Sequence, residues 1–291
     1  MDQPEAERPY DYAPVIARKP ADGAALIRPT MQRGSRLQGF KAAGLGLLLL
    51  AAAPGAPRSG YDDASPAVRA MQDDDGANPA MLWVANGRAL WDQPAGPRNQ
   101  SCAACHGPPE TMRGVAARLP AWDAALGRAM TLEARINWSR TRHQGAPALP
   151  EEGDDLLALA ALIGLQSRGM PIQVGGSGPA AAALEQGRML FNTRMGQLDL
   201  SCADCHGLRE EGGLAGDRLG GARIPEGRAN AYPIYRLEWQ GVGSLLRRIR
   251  NCMTGVRSLP FPAASEEMAA LRLYLGWRSN GMPVETPGVR P

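Results

Sequence analysis

Aromatic residues are scarce in this 291-residue chain: three Phe, six Tyr and six Trp make up 5% of it, although 44% of its residues are hydrophobic. So small a stock of flat apolar side chains suits a core whose planar bulk comes from a large prosthetic group. Histidine is scarcer still, with three residues, and the net charge is only +3. A mildly basic balance without a clustered basic face gives no ground for a nucleic-acid partner. Beyond residue 57 there is no run of about 18 apolar residues, so nothing in the mature chain is expected to span a membrane. No segment shows convincing strand alternation, and the expected fold is mostly α. Glycine (35) and proline (25) exceed their average usage of about 7% and 5%, which points to much irregular chain between short helices.

Near the N-terminus, Lys41 precedes an apolar run from Ala42 to Ala53, and Pro54, Gly55, Ala56 and Pro57 follow. Positive charge, an apolar stretch of about a dozen residues and a small-residue end describe a secretory signal peptide. Met31 to Gly60 reads as a complete signal alone. Residues 1–57 are therefore expected to be an N-terminal extension and signal, and the mature protein is expected in the periplasm.

Five cysteines is an odd number for an exported chain, so at least one thiol has a use other than a disulfide. Four of them fall in two matching frames, Cys102-Ala-Ala-Cys105-His106-Gly and Cys202-Ala-Asp-Cys205-His206-Gly. Gly87-Arg88-Ala89-Leu90-Trp91 precedes the first and Gly187-Arg188-Met189-Leu190-Phe191 the second at the same spacing. Farther on, Ser167-Arg168-Gly169-Met170-Pro171-Ile172 is echoed by Ser279-Asn280-Gly281-Met282-Pro283-Val284, each after an apolar helical pattern. The order helix, CxxCH, variable loops, helix, Gly-Met-Pro occurs twice, and predicts two tandem cytochrome c-type domains related by internal duplication. A short arm (58–77) would lead into domain 1 (78–176) and domain 2 (177–291). The Gly- and Ser-rich segment 174–179 reads as a flexible linker. Helices are expected near 80–93, 131–142, 153–166, 180–193, 242–252 and 265–278.

In a CxxCH frame, two cysteines on one helical turn form thioethers to the haem vinyl groups, and the adjacent histidine becomes the proximal iron ligand. Cys102 and Cys105 with His106, and Cys202 and Cys205 with His206, are thus expected to hold two covalently bound haem c groups. A zinc knuckle fits duplicated CxxCH frames poorly, and a thioredoxin-like pair needs a βαβ context that is absent. For the sixth ligand of the first haem, the candidates are His143, the one histidine outside the motifs, and Met112, Met130 and Met170. In the second domain, Leu245, Leu246, Ile249 and Met253 form an apolar helical face. Arg248 lies four residues before the leftover Cys252, on one side of consecutive turns. Cys252 is either a small buried apolar residue or a sulfur ligand to the second haem facing an anion pocket, to which Arg236 and Arg257 would add charge.

Those residues give the chain a resemblance to SoxA, the dihaem subunits of the SoxAX cytochromes of bacterial sulfur oxidation. It covers nearly everything from Tyr61 to Arg290. The CxxCH frames are generic; the specific matches are Tyr235-Arg236-Leu237-Glu238-Trp239-Gln240, the frame Arg248…Cys252…Arg257 and the ending around Asn280-Gly281-Met282-Pro283. The resemblance implies an L-cysteine S-thiosulfotransferase in which Cys252 is both haem ligand and catalytic residue and Arg248 contacts the substrate. Thiosulfate would be joined oxidatively to a cysteine of the SoxYZ carrier protein, with two electrons passing to an acceptor cytochrome c. The monohaem cytochrome SoxX would complete a heterodimer. One departure stands out: where dihaem members usually carry a cysteine ligand for haem 1, this chain reads Ile136-Asn137-Trp138-Ser139-Arg140, and His143 one turn later is a candidate substitute beside the methionines. The rival reading is a periplasmic dihaem electron carrier without sulfur transfer, in which Cys252 is dispensable.

Overall fold

The computed structural model describes residues 57–291 except 209–211 and 220–221, so the extension and signal expected over 1–57 lie, but for the last residue, outside the described residues. Among the described residues nine α-helices occur, and no helix is long and apolar enough to cross a membrane. The six expected helices are all present. They are α2 (Met81–Asp92), α4 (Leu132–Ser139), α5 (Asp154–Leu165), α6 (Ala181–Asn192), α8 (Leu245–Gly255) and α9 (Glu266–Arg278). The others are α1 (Pro66–Asp73), with Ser65 as its N-cap and proline in its first turn, and the CxxCH helices α3 (Cys102–His106) and α7 (Cys202–His206).

Two helix crossings organise the chain. Helix α2 packs on α5, and α6 on α9. A methyl group at Gly87 would stand 2.2 Å from the Ala158 carbonyl oxygen, and one at Gly187 would stand 2.1 Å from that of Ala270. Only glycine lets the backbones approach this closely. Helices α5 and α9 are buried almost all round, as expected for helices covered on every side. Leu273 of α9 also packs with Ala117, Ala129, Ile172, Val174 and Val284, so the two segments share apolar core. In the same region Arg272 donates to Glu133 and to the Thr131 hydroxyl, both at 2.8 Å, with the ion pair sealed from solvent.

The two Gly-Met-Pro echoes meet. The Ile172 N–H donates to Met282 O at 2.9 Å, that of Gly281 to Ile172 O at 2.9 Å, and that of Val284 to Met170 O at 2.9 Å. Segment 174–179 starts anchored: Asn280 Oδ1 accepts from the Val174 N–H at 2.7 Å, and its Nδ2 donates to the Val174 carbonyl at 3.0 Å.

Short strands, invisible as alternation because each has only two or three residues, complete the fold. β1 (Ala121–Asp123) and β2 (Arg128–Met130) form a hairpin that leads through Thr131 into α4. β3 (Arg218–Leu219) pairs with β4 (Ala222–Arg223). β5 (Ile234–Arg236) lies between antiparallel β6 (Gly241–Gly243) and parallel β7 (Gly288–Arg290), and β6 leads through Ser244 into α8. Thr131 and Ser244 both cap the following helix through a side-chain oxygen.

Gly187→Ala is expected to destabilise the protein by about 1–3 kcal/mol, the usual cost of overpacking. Chemical denaturation measures this, and Gly175→Ala, where a Cβ meets nothing within 4 Å, should leave the midpoint unchanged.

Candidate functional site

Both CxxCH helices are placed by the same local devices. A single β-bridge, Ala95 with Gln100 or Met195 with Leu200, turns the chain before each one. Ser101 Oγ then accepts from the Ala104 N–H at 3.0 Å, and Ser201 Oγ from the Asp204 N–H at 3.1 Å. At α7, Asp204 reaches back to the Ser201 N–H at 2.8 Å, which completes a capping box.

The histidines are held differently. Trp91 lies 5.9 Å from the His106 ring, centroid to centroid, and donates from Nε1 to Gly107 O at 2.9 Å. His206 Nδ1 lies 2.8 Å from the Pro225 carbonyl. With Nδ1 donating there, Nε2 is left for a metal, the usual second contact of a ligating imidazole. Burial holds the proton affinity of His206 below the ordinary range against the pull of that carbonyl, with the Arg248 and Arg278 charges acting in the same direction as burial. Neutral imidazole is the form that ligates metal. A Cβ on Gly227 would come within 3.1 Å of His206 Cβ and Cγ, so the loop after Pro225 packs directly on the ring. A helical pair of thiols beside an oriented neutral imidazole suits covalent haem c.

Helix α8 brings the fifth cysteine to this place. Leu246, Ile249 and Met253 are buried against Phe191, Met268, Leu271, Tyr274 and Leu275, as the expected apolar face requires, and Cys202 packs on the same cluster. That anchorage sets the side of the helix carrying Arg248 and Cys252. Burial pushes the Cys202 thiol up to about 11, and Cys252 is near enough to push it further in the same direction. Cys205 is raised by burial, by Asp204 and also by Cys252. Cys252 thus acts electrostatically on both thiols of α7.

Arg248 and Arg236 are close enough to act on one another, and both act on the Tyr232 phenol, as does Cys252. Burial lowers the proton affinity of Arg236, and the Arg248 charge lowers it further. Residue spacing could not place Tyr232 here; it lies two residues before β5, in the irregular chain that leads into that strand. Arg257, the other expected source of charge, sits instead in the exposed left-handed turn that closes α8.

The first segment departs from this pattern at one point. From the cap Thr131 to the left-handed Gly145 is 14 positions, and from Ser244 to the left-handed Arg257 is 13. The extra residue is absorbed in a π-helical turn, Arg140–Gln144, immediately after Ser139. This turn lies over Cys102: Gln144 Nε2 is 4.0 Å from its Sγ, and Arg140 lowers a thiol that burial raises. His143 lies in the turn, exposed, with its ring edge-on to Trp138 at 5.2 Å between centroids. Of the methionine candidates, Met130 is fully buried in β2, Met112 packs against the core cluster that includes Cys102, and Met170 packs beside Ala117 and Val284.

Fold and site together define a cytochrome c. The sequence profile described as SoxA/TsdA, cytochrome c domain, matches residues 86–172 and 186–284, and the chain belongs to that family. It is 39% identical over 234 residues to the L-cysteine S-thiosulfotransferase subunit SoxA of Rhodovulum sulfidophilum, covering 80% of each chain. With the same subunit of Paracoccus pantotrophus it shares 36% identity, over 80% of this chain and 78% of that one. The crystal structure of SoxXA from P. pantotrophus superposes with a TM-score of 0.76 at 35% identity, over 81% of this chain and 87% of that chain.

Gly227→Ala combines a left-handed φ of +65° with a contact on the His206 imidazole. It is expected to perturb the haem absorption and resonance signals of the holoprotein without loss of covalent haem. Unchanged spectra would mean that this loop does not set the ring.

Proposed function

We propose that the chain is the catalytic cytochrome subunit of an L-cysteine S-thiosulfotransferase. In this reading it couples thiosulfate oxidatively to a cysteine of a SoxYZ-type carrier and passes two electrons to an acceptor cytochrome c. One observation carries it: the cysteine left over from the CxxCH frames, Cys252, is on the helix whose Ile249 and Met253 form the cluster that Cys202 packs against, with Arg248 one helical turn away and Arg236 and Arg248 sharing the Glu238 carboxylate. The names of the relatives and the SoxXA superposition support the same reaction and a SoxX-type partner in a heterodimer.

Two haems, one on each CxxCH frame, are the expected complement, within tandem domains 78–176 and 177–291. The paired Gly87 and Gly187 crossings and the mutual bonding of the Gly-Met-Pro segments support a duplication. The arm 58–77 leads in through α1, whose Val68 packs on Val289 of β7 while Gln72 Oε1 accepts from the Val289 N–H at 2.9 Å. Covalent haem attachment and the signal-like run before residue 57 support a periplasmic site.

Thiosulfate is a dianion, which guanidinium groups recruit and orient through charge-assisted hydrogen bonds. In this reading Arg248 presents its sulfane sulfur to Cys252. The Cys252 thiolate and thiosulfate would join through a new S–S bond, giving Cys252–S–S–SO3⁻ and releasing two electrons. The carrier thiolate then attacks the sulfane sulfur, the bond to Cys252 breaks, and Cys252 leaves as thiolate while the S–SO3⁻ group moves to the carrier. Splitting the transfer in this way is the general advantage of a covalent intermediate. Bound haem supplies an electron outlet and a polarising metal next to the sulfur. His106 and His206 would be the proximal ligands and Cys252 the distal ligand of haem 2. For haem 1, Ser139 occupies the position in α4 that Cys252 has in α8, and serine is a poor iron ligand. His143, in the π turn that begins after Ser139, packs edge-on against Trp138 and is the proposed distal ligand.

Cys252→Ala should abolish thiosulfate-dependent cytochrome reduction while covalent haem content stays the same. Arg248→Ala should raise the KM for thiosulfate about ten- to a hundredfold, the loss of a charge-assisted contact. Retained turnover in Cys252→Ala would leave only the electron-carrier reading. For haem 1, oxidised wild type should lack the near-infrared absorption of a methionine-ligated haem, and His143→Ala should shift the first haem's potential with turnover maintained.

A further inference from the structure

Beside the proposed thiosulfate contact, the turn between β5 and β6 carries a carboxylate that the reaction does not use. Glu238 Oε1 lies 2.8 Å from Arg236 Nε and 3.8 Å from Arg248 Nη1, so one oxygen bridges both guanidinium groups. Arg236 has less freedom than the carboxylate. The Arg236 side chain is 15% exposed and stacks over Trp239 at 5.3 Å, and Trp239 also receives Arg247 at 4.4 Å. Glu238 is 47% exposed. It sits in a turn closed by the Trp239 and Gln240 N–H groups, which donate to Arg236 O at 3.1 Å and Leu237 O at 3.3 Å.

The fit of the carboxylate is poor. The Arg236 Nε–H is sealed from solvent and yet has no acceptor in hydrogen-bonding geometry, even though Glu238 Oε1 is within reach by distance. A buried donor left this way favours any acceptor that can align with it. Arg236 and Arg248 also repel each other, and a single shared carboxylate brings one negative charge to two positive ones.

We propose that Glu238 holds the anion seat between Arg236 and Arg248 in the free enzyme, and that the substrate dianion displaces it. Arg236 is then a second arm of the substrate site, and Glu238 is a specificity residue. A dianion with several oxygens can serve both guanidiniums and offset the loss of the carboxylate. A monoanion exchanges one charge for an equal one and gains little. The proposal rests on the reading of Arg248 as the substrate contact.

The test uses the holoenzyme complex with thiosulfate as substrate and methanesulfonate, a monoanion, as inhibitor, in wild type, Glu238→Gln, Glu238→Ala and Arg248→Ala. Releasing an exposed carboxylate from the seat should lower the KM about two- to fivefold in both Glu238 variants, in line with the modest strength of such pairs. The kcat should change less than the KM, and methanesulfonate should inhibit these variants better than wild type. A Glu238 that merely holds the turn would lower kcat and raise or leave the KM, and that result overturns the proposal. Equal inhibition by methanesulfonate in all forms overturns the specificity claim. If Arg248→Ala leaves the KM unchanged, the underlying substrate reading fails; if it raises the KM while the Glu238 variants do not lower it, only this proposal fails. Covalent haem content and spectra identify any variant that has not folded, and the other Glu238 variant then decides.

Discussion

Helix α8, which carries Cys252, is fixed in rotation against the cluster that Cys202 of α7 joins, and much of the second segment holds it there. Helix α8 is capped by Ser244, whose own N–H is bound by Glu152 of the first segment at 3.3 Å. Its apolar face is locked by Phe191, Met268 and Leu271. A rotation of α8 by one residue would carry Cys252 about 100° around the helix axis, and would expose Leu246 or Ile249 in exchange. The position of the Cys252 sulfur is therefore secured by burial of several apolar side chains, whose exposure would cost too much for local adjustment to offset.

The first segment shows what happens when that atom is missing. Ser139 has the same distance from its cap, Thr131, as Cys252 has from Ser244, yet the helix then widens into a π turn that carries Gln144 to Cys102. The insertion keeps the left-handed exit at Gly145 in contact with the bridge before the CxxCH helix, since Gly96 packs on Gln144–Ala146 as Gly196 packs on Val256–Ser258. The frame is retained and the turn after Ser139 is changed. That is the pattern expected if one haem takes part in sulfur chemistry and the other only in electron flow.

Much of this was legible in the residues because the signals were local. The six expected helices follow from apolar periodicity, and the CxxCH frames state their chemistry at once. The spacing of Arg248 and Cys252 needed only a helix. The three-residue strands gave no periodic signal, and they are what deliver Tyr232, Arg236 and Glu238 to α8. Arg236 was one of several charges available by composition, and only the register of β5 between β6 and β7 distinguishes it from Arg257, which ends in an exposed turn. The pairing of the two Gly-Met-Pro segments was likewise hidden, because a repeat in sequence does not say that its copies touch.

The central claim is that the Cys252 sulfur is an axial ligand of the haem attached at Cys202 and Cys205. Electron paramagnetic resonance of the oxidised holoprotein, compared with Cys252→Ala at equal covalent haem content, tests it directly. The account predicts a low-spin signal with the narrow spread of a thiolate-ligated haem in the wild type and its loss in the variant. Identical spectra, with methionine, histidine or an open position at that iron, would contradict it.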